Sequence, residues 1–129
     1  MEAAFRLRAH PESVATAQNE SRVFLSSLPV SSEPALLIVS ELVSNAVRHG
    51  TEPIGLRLFW DGHELHIEVS DCDPRVDRVT MTPAVKDEDH GRGLSLLDQL
   101  ASTWGVDAGP SGLSKTVWAT LSEDPARPL

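Results

Sequence analysis

The stretch Glu41-Leu42-Val43-Ser44-Asn45-Ala46-Val47-Arg48-His49-Gly50 decides how the rest of the chain is interpreted. Its apolar residues recur at helical spacing, which predicts the second half of an amphipathic helix that ends at Gly50, a residue suited to a C-terminal cap. Glu41 and Asn45 share one helical face, and Arg48 follows a turn later. From this helix alone two interpretations stay open. The polar stripe is either a solvated face or a set of groups that serves a cation and its anionic ligand.

The composition is that of one globular domain. The chain has 129 residues, of which 40% are hydrophobic and 23% charged, enough for a two-layer core. A net charge of -8 disfavours nonspecific nucleic-acid binding and binding to anionic membrane surfaces. The single cysteine, Cys72, excludes an internal disulfide. Because no apolar stretch resembles a signal core or a membrane span, we expect a soluble, cytoplasmic protein without direct contact to nucleic acid or membrane.

Sequence periodicity predicts the elements of the first half. A strand is expected over residues 5–9, followed by a helix that opens at 11 or 12 and closes at Pro29. The second helix, with Ser31 or Ser32 as its N-cap, runs to Gly50. Two alternating stretches, 54–60 and 65–71, flank Asp61-Gly62, the strongest short signal for a hairpin turn.

The alternation in the second stretch places Asp71 on the core-facing side of its strand. A lone charge is expensive to bury, so this carboxylate should have a polar partner. Asp71 is therefore the second candidate for a functional residue.

The second half begins with a long segment that lacks periodicity. Residues 74–90 are predicted to form a functional lid or a mobile loop. A helix is expected after Gly93, with Leu94, Leu97, Ala101 and Trp104 on one face. A last strand is expected over 115–121, and 122–129 are expected to be a disordered tail.

This order of elements predicts the class of the fold. We expect an α/β (α+β) two-layer sandwich within a single domain over residues 1–121. Its sheet is expected to be mixed and mostly antiparallel, with the helices on one face.

Two glycine-containing segments resemble nucleotide-binding motifs without meeting their requirements. Gly91-Arg92-Gly93 lacks the third glycine of a dinucleotide fingerprint and the βαβ context. Residues 109–116 resemble a P-loop, but Ser114 replaces the glycine before Lys115. The segment after Thr116 is predicted to be a strand, whereas a P-loop leads into a helix. Both motifs are rejected.

The joint pattern is more specific than either motif. Glu41 and Asn45 lie on the second helix, Asp71 ends a strand, Gly91-Arg92-Gly93 follows the lid, and Lys115-Thr116 lies in the last strand. In this order the set resembles the Bergerat-fold (histidine kinase-like) ATPases. It is most similar to the bacterial anti-sigma factor serine/threonine kinases and their stand-alone ATP-binding relatives. The resemblance covers residues 5–121.

The resemblance implies ATP and Mg²⁺ as cofactors and a role for each residue. Asn45 would ligate Mg²⁺, which prefers hard oxygen ligands. Glu41 would orient or deprotonate the attacking hydroxyl. Asp71 would accept a hydrogen bond from the adenine amino group, and Thr116 would support the same edge of the base.

The phosphates would be bound by backbone N–H groups of Gly91, Arg92 and Gly93 at a helix N-terminus, as the resemblance implies. The Arg92 side chain would add charge near the γ-phosphate or face a partner. Two positions depart from the family pattern: Asp73 and Ser114 stand where the family usually has glycine. They put efficient catalysis in question more than they do the fold.

The resemblance leaves three functional classes to weigh. The first is a serine/threonine protein kinase that phosphorylates a small anti-sigma factor antagonist of the STAS type and sequesters a sigma factor. The second is an ATP-binding regulatory module that transfers no phosphate, and the third is an interaction domain that has lost its nucleotide affinity. Glu41 and Asn45 together favour the first class. A homodimer is expected from the resemblance alone.

Overall fold

The computed structural model describes residues 1–49, 51–73, 96–109 and 114–124. Within these residues the elements follow the order β1 Glu2–Leu7, α1 Glu12–Leu25, α2 Ser32–His49, β2 Ile54–Trp60, β3 Glu64–Asp71, α3 Leu96–Leu100, β4 Thr103–Ala108 and β5 Lys115–Ser122. The strands form one sheet in the order β1-β2-β3-β5-β4. All four pairings among the described residues are antiparallel, which confirms the expected α+β fold with a mostly antiparallel sheet.

The core lies between the sheet and the helices α1 and α2. Both helices bury one stripe, as the sequence periodicity predicts, and α2 packs against β2, β3 and β5. Ile67 occupies the middle of this layer on the central strand β3, where its cross-strand neighbours are Leu58 and Ala119. All three side chains are fully buried. No helix among the described residues is long and apolar enough to cross a membrane.

The turn between β2 and β3 is built around Asp61 and Gly62. Gly62 has a φ of 99°, a left-handed conformation that glycine adopts without steric cost. The Asp61 carboxylate accepts hydrogen bonds from the backbone N–H groups of Glu64 at 2.7 Å and His63 at 2.8 Å, and lies 2.9 Å from His66 Nε2. The Glu64 amide above all, then the His66 side chain and the His63 amide, hold the pKa of Asp61 well below its usual range.

We expect Asp61→Asn to lower the melting temperature slightly at pH 7, because the amide accepts the same bonds more weakly than the charged carboxylate does. A carboxyl group whose pKa falls on folding stabilises the folded state above its unfolded pKa of about 3.9, and this contribution is lost as the pH falls towards the lower folded value. The gap between wild type and variant should therefore be present above about pH 5 and close as the pH falls below about 4. Thermal melts followed by circular dichroism across this range measure it.

The control for this prediction is Asp107→Asn, which changes an exposed aspartate on the edge strand β4, outside the turn. It should leave the melting curve at pH 7 close to that of wild type. A gap between Asp61→Asn and wild type that does not narrow in acid would contradict the role of the Asp61 charge.

The strand β4 differs from the sequence-based prediction. A helix was expected to continue to Trp104, but α3 ends at Leu100 and Trp104 lies in β4. The expected spacing fits a helix, yet residues 103–108 also suit a strand, and pairing with β5 places Trp104 opposite Ala119. Tertiary pairing thus overrides the helical pattern. At Gly105 a Cβ atom would lie 2.8 Å from Trp118 Cζ2, so glycine leaves room for the indole ring of its cross-strand neighbour.

The chain is held in place beyond the predicted end of β5. Ser122 belongs to β5, and the backbone N–H of Asp124 donates to the Pro29 carbonyl at 2.8 Å. The Ser31 hydroxyl, directly before α2, donates to the Asp124 carboxylate. Residues 122–124 of the expected tail thus make defined contacts, and residues 125–129 lie outside those described.

Candidate functional site

Helix α2 carries the first two candidate residues in the interior. Glu41 is 6% exposed and Asn45 is 1% exposed, whereas Arg48 is exposed. A carboxylate and an amide one turn apart are thus held inside the protein, away from bulk water. The interpretation of the stripe as a solvated face is wrong for Glu41 and Asn45. Gly50, the expected cap of this helix, lies outside the described residues.

Asp71, at the end of the central strand β3, has the polar partner that its burial requires. Its carboxylate accepts hydrogen bonds from Lys115 Nζ at 2.8 Å through Oδ1 and at 2.9 Å through Oδ2. Oδ1 also accepts the backbone N–H of Asp73 at 2.8 Å. Asp71 is 3% exposed and Lys115 is fully buried, so the two form an ion pair inside the protein.

Lys115 is the residue whose role the sequence interpretation missed. It is the first residue of β5 and lies directly opposite Asp71 in the antiparallel ladder. Alternation along β5 puts it on the same face as Val117 and Ala119, both buried. That alternation was visible in the sequence, but the pairing with Asp71 depends on the register between two strands far apart in the chain.

The role predicted for Thr116 is contradicted by the strand register. Thr116 pairs with Ser70 rather than with Asp71, so its side chain lies on the opposite face of the sheet from the ion pair. There it lines a cavity of about 590 Å³ together with His66, Glu68 and Trp118. The expectation that Thr116 and Asp71 serve the same edge of a base therefore does not hold. The residue that shares the Asp71 face is Lys115.

A smaller cavity opens beside Asp71. It has a volume of about 270 Å³, and its lining includes Gly55, Ser70, Cys72 and Ser114. This is close to the lower end of the range of ligand pockets, about 300–1,000 Å³. Asp73, expected to bring charge to the site, is 2% exposed and so carries its carboxylate into the interior.

The remaining predicted site residues are not tested by the structure. Gly91, Arg92 and Gly93, together with the expected lid at 74–90, lie outside the described residues. Their assigned contacts with phosphates stay a prediction. Within the described part, the chemistry of the donors fits an Mg²⁺ nucleotide at α2, where Glu41 and Asn45 offer hard oxygen atoms. At Asp71 both carboxylate oxygens already have a cationic partner.

Comparison with known proteins agrees with this architecture. The family described as the histidine kinase-like ATPase domain matches residues 7–121. An uncharacterized protein of Streptomyces coelicolor is 36% identical over 73 residues, which cover 54% of this chain and 69% of that protein.

A solved structure shows the same fold. The crystal structure of the RsbU and RsbW domains of Rv1364c from Mycobacterium tuberculosis is similar over 100% of this chain, with a TM-score of 0.67 and 22% identity. This chain spans 34% of the length of that chain, and at such identity the similarity concerns the fold alone. With the family match over nearly its whole length, the chain belongs to the histidine kinase-like ATPase domain family.

Proposed function

We propose that this protein is an ATP-binding serine/threonine kinase of the anti-sigma factor type. It phosphorylates a serine of a small STAS-type antagonist and sequesters a sigma factor, and a homodimer is its expected form. The observation that carries the proposal is the burial of Glu41 and Asn45 one turn apart on α2. Membership of the ATPase family and the similarity in fold to a structure that contains an RsbW domain support it.

The proposed reaction is a phosphoryl transfer to a hydroxyl group. The serine oxygen of the antagonist bonds to the γ-phosphorus, the bond from that phosphorus to the β,γ-bridging oxygen breaks, and ADP leaves. Glu41 accepts the hydroxyl proton. Asn45 holds Mg²⁺, which neutralises phosphate charge when bound. The net charge of -8 repels a polyphosphate at long range, so this local neutralisation is needed for binding as well as for transfer.

A second function is favoured by one specific contact. The Lys115 ammonium group engages the carboxylate that would read adenine. A weakened base contact suits a regulatory module that binds ATP and changes partners without transferring phosphate. The two functions differ in whether labelled phosphate reaches a partner.

The first experiment is a calorimetric titration of ATP into the purified protein with and without Mg²⁺. We expect binding that is lost when Mg²⁺ is chelated, because the overall charge opposes an uncompensated triphosphate. Absence of binding in both conditions would overturn the kinase and the regulatory module alike.

Glu41→Gln should retain ATP binding and abolish transfer, because the amide keeps the shape of the carboxylate but cannot accept the proton. The assay incubates γ-labelled ATP with the protein and each STAS-type antagonist of the source organism in turn. The matched control is Glu33→Gln, an exposed glutamate in the first turn of the same helix, which should transfer label like wild type. Undiminished transfer by Glu41→Gln would remove Glu41 from the catalytic role. Wild-type binding without transfer to any antagonist would favour the regulatory module.

A further inference from the structure

The buried ion pair between Asp71 and Lys115 leaves the ammonium group without spare donors. A lysine ammonium has three N–H donors. Two are directed at the Asp71 carboxylate oxygens, and the third at the backbone carbonyl of Asp73 at 3.3 Å. Lys115 is therefore fully hydrogen-bonded within the protein, at a position with no exposure to solvent.

The carboxylate side of the pair is nearly saturated as well. Oδ1 of Asp71 accepts from Lys115 Nζ and from the Asp73 backbone N–H, and Oδ2 accepts from Lys115 Nζ. An amino group of a base would have to share Oδ2 or displace Lys115. A neutral donor forms a weaker bond to a carboxylate than an ammonium does, and its arrival would leave the lysine charge buried without its partner. The ammonium therefore resists displacement, and a base amino group that shared Oδ2 would have to approach the positive charge of Lys115.

The pairing of β3 and β5 holds Lys115 beside Asp71. Asp71 and Lys115 are direct cross-strand neighbours in the ladder of β3 and β5, on the core-facing side of the sheet. The Lys115 side chain can leave Asp71 only by bringing its charge to another acceptor or to water. Because Lys115 is fully buried, that movement is costly.

From these contacts we propose that Lys115 is a specificity-determining residue that withholds Asp71 from the nucleotide base. The site then binds ATP mainly through its phosphates and discriminates little between bases. This inference rests on the proposed function, since it concerns the same nucleotide site.

The test compares two ligands, Mg²⁺–ATP and Mg²⁺–tripolyphosphate, by calorimetry on three proteins. Wild type should bind both ligands with dissociation constants within about threefold of each other. Lys115→Met keeps an unbranched side chain as far as the position of Cε and removes the ammonium group. It should bind ATP at least about tenfold more tightly than wild type, because the base gains a hydrogen bond to the charged Asp71 carboxylate. Its affinity for tripolyphosphate should stay unchanged. The double variant Asp71→Asn/Lys115→Met, which also lacks the carboxylate, should bind ATP no more tightly than wild type.

The possible results distinguish failure of the role of Lys115 from failure of the proposed function. A gain in ATP affinity of less than about tenfold in Lys115→Met, or a wild type that prefers ATP to tripolyphosphate by more than about threefold, would overturn the role of Lys115 while leaving the proposed function intact. If none of the three proteins binds either ligand, the proposed function itself fails.

A measurement on the wild-type protein covers the case in which Lys115→Met does not fold. The chain has two lysines, Lys86 and Lys115, so a spectrum of protein labelled with ¹⁵N at the lysine side chains contains few signals. The Lys115 ammonium should give a signal protected from exchange with water, because the group is buried and hydrogen-bonded. Saturating Mg²⁺–ATP should leave that signal in place. Its loss or a large shift on ATP addition, without the same effect from tripolyphosphate, would show that the base displaces Lys115 and would overturn the inference.

Discussion

Replacement of Asp71 by alanine should lower the free energy of unfolding by about 3–5 kcal/mol, the usual cost of removing one partner from a buried ion pair. The variant leaves the Lys115 ammonium buried, with the Asp73 carbonyl as its remaining acceptor among the three present in wild type. Its charge is then uncompensated at a position with no exposure to solvent, which is the physical origin of the loss.

Urea unfolding followed by tryptophan fluorescence measures this loss. The three tryptophans, Trp60, Trp104 and Trp118, all lie in the sheet that contains the ion pair. The control removes both charges: Asp71→Leu/Lys115→Met should be much closer to wild type than the single variant, since apolar replacement of both partners is often neutral or stabilising. A single variant within about 1 kcal/mol of wild type would mean that water reaches the ammonium group after the change.

Ile67→Ala should cost about 2–5 kcal/mol, because it leaves a cavity in the middle of the core. Ile67 is fully buried on the central strand, between Leu58 and Ala119 of the neighbouring strands. These neighbours belong to regular strands paired along their length, so the backbone has little freedom to collapse into the space. The value should therefore fall in the upper part of the range.

Two controls separate the cavity from the loss of apolar area. Ile67→Val removes one methyl group from the same place and should cost about 0.5–1.5 kcal/mol. Val23→Ala removes two methyl groups from a side chain on α1 that is 73% exposed, and should change stability by no more than about 0.5 kcal/mol. Urea unfolding midpoints of the three variants give the differences in the free energy of unfolding, when all curves are fitted with the same dependence of that free energy on urea concentration. Equal costs for Ile67→Ala and Val23→Ala would contradict the described position of Ile67 in the core.

Much of the fold was predictable because strong local patterns and tertiary pairing agree. The helix that ends at His49 has a regular apolar stripe, and Asp61-Gly62 fixes the hairpin that follows it. Within that hairpin, alternation alone was enough to place Asp71 in the core, and the need of a buried carboxylate for a partner led to a correct expectation of polar contact.

The features that were predicted wrongly share one physical cause. Each of them is decided by pairing between strands that are far apart in the chain. Trp104 fits either a helix or a strand locally, and only the pairing of β4 with β5 decides between them. Likewise, the register of β5 against β3 determines that Lys115 faces Asp71 and that Thr116 does not. For the candidate site, the sequence places Asp71 in the core and Glu41 and Asn45 on one helical face, but it does not predict that this face is buried or that Lys115 contacts Asp71.

The cross-strand position of the ion pair also bears on how the chain finds its native strand alignment. Asp71 and Lys115 are 44 positions apart in sequence, and their strands are neighbours in the middle of the sheet. A slip of one residue between β3 and β5 would turn every side chain of one strand to the other face. The lysine would then point away from the helices and leave the aspartate charge alone inside, at a cost of several kcal/mol. The pair thus penalises misaligned sheets as they form, so the charges at the candidate nucleotide site also help to select the correct registry during folding.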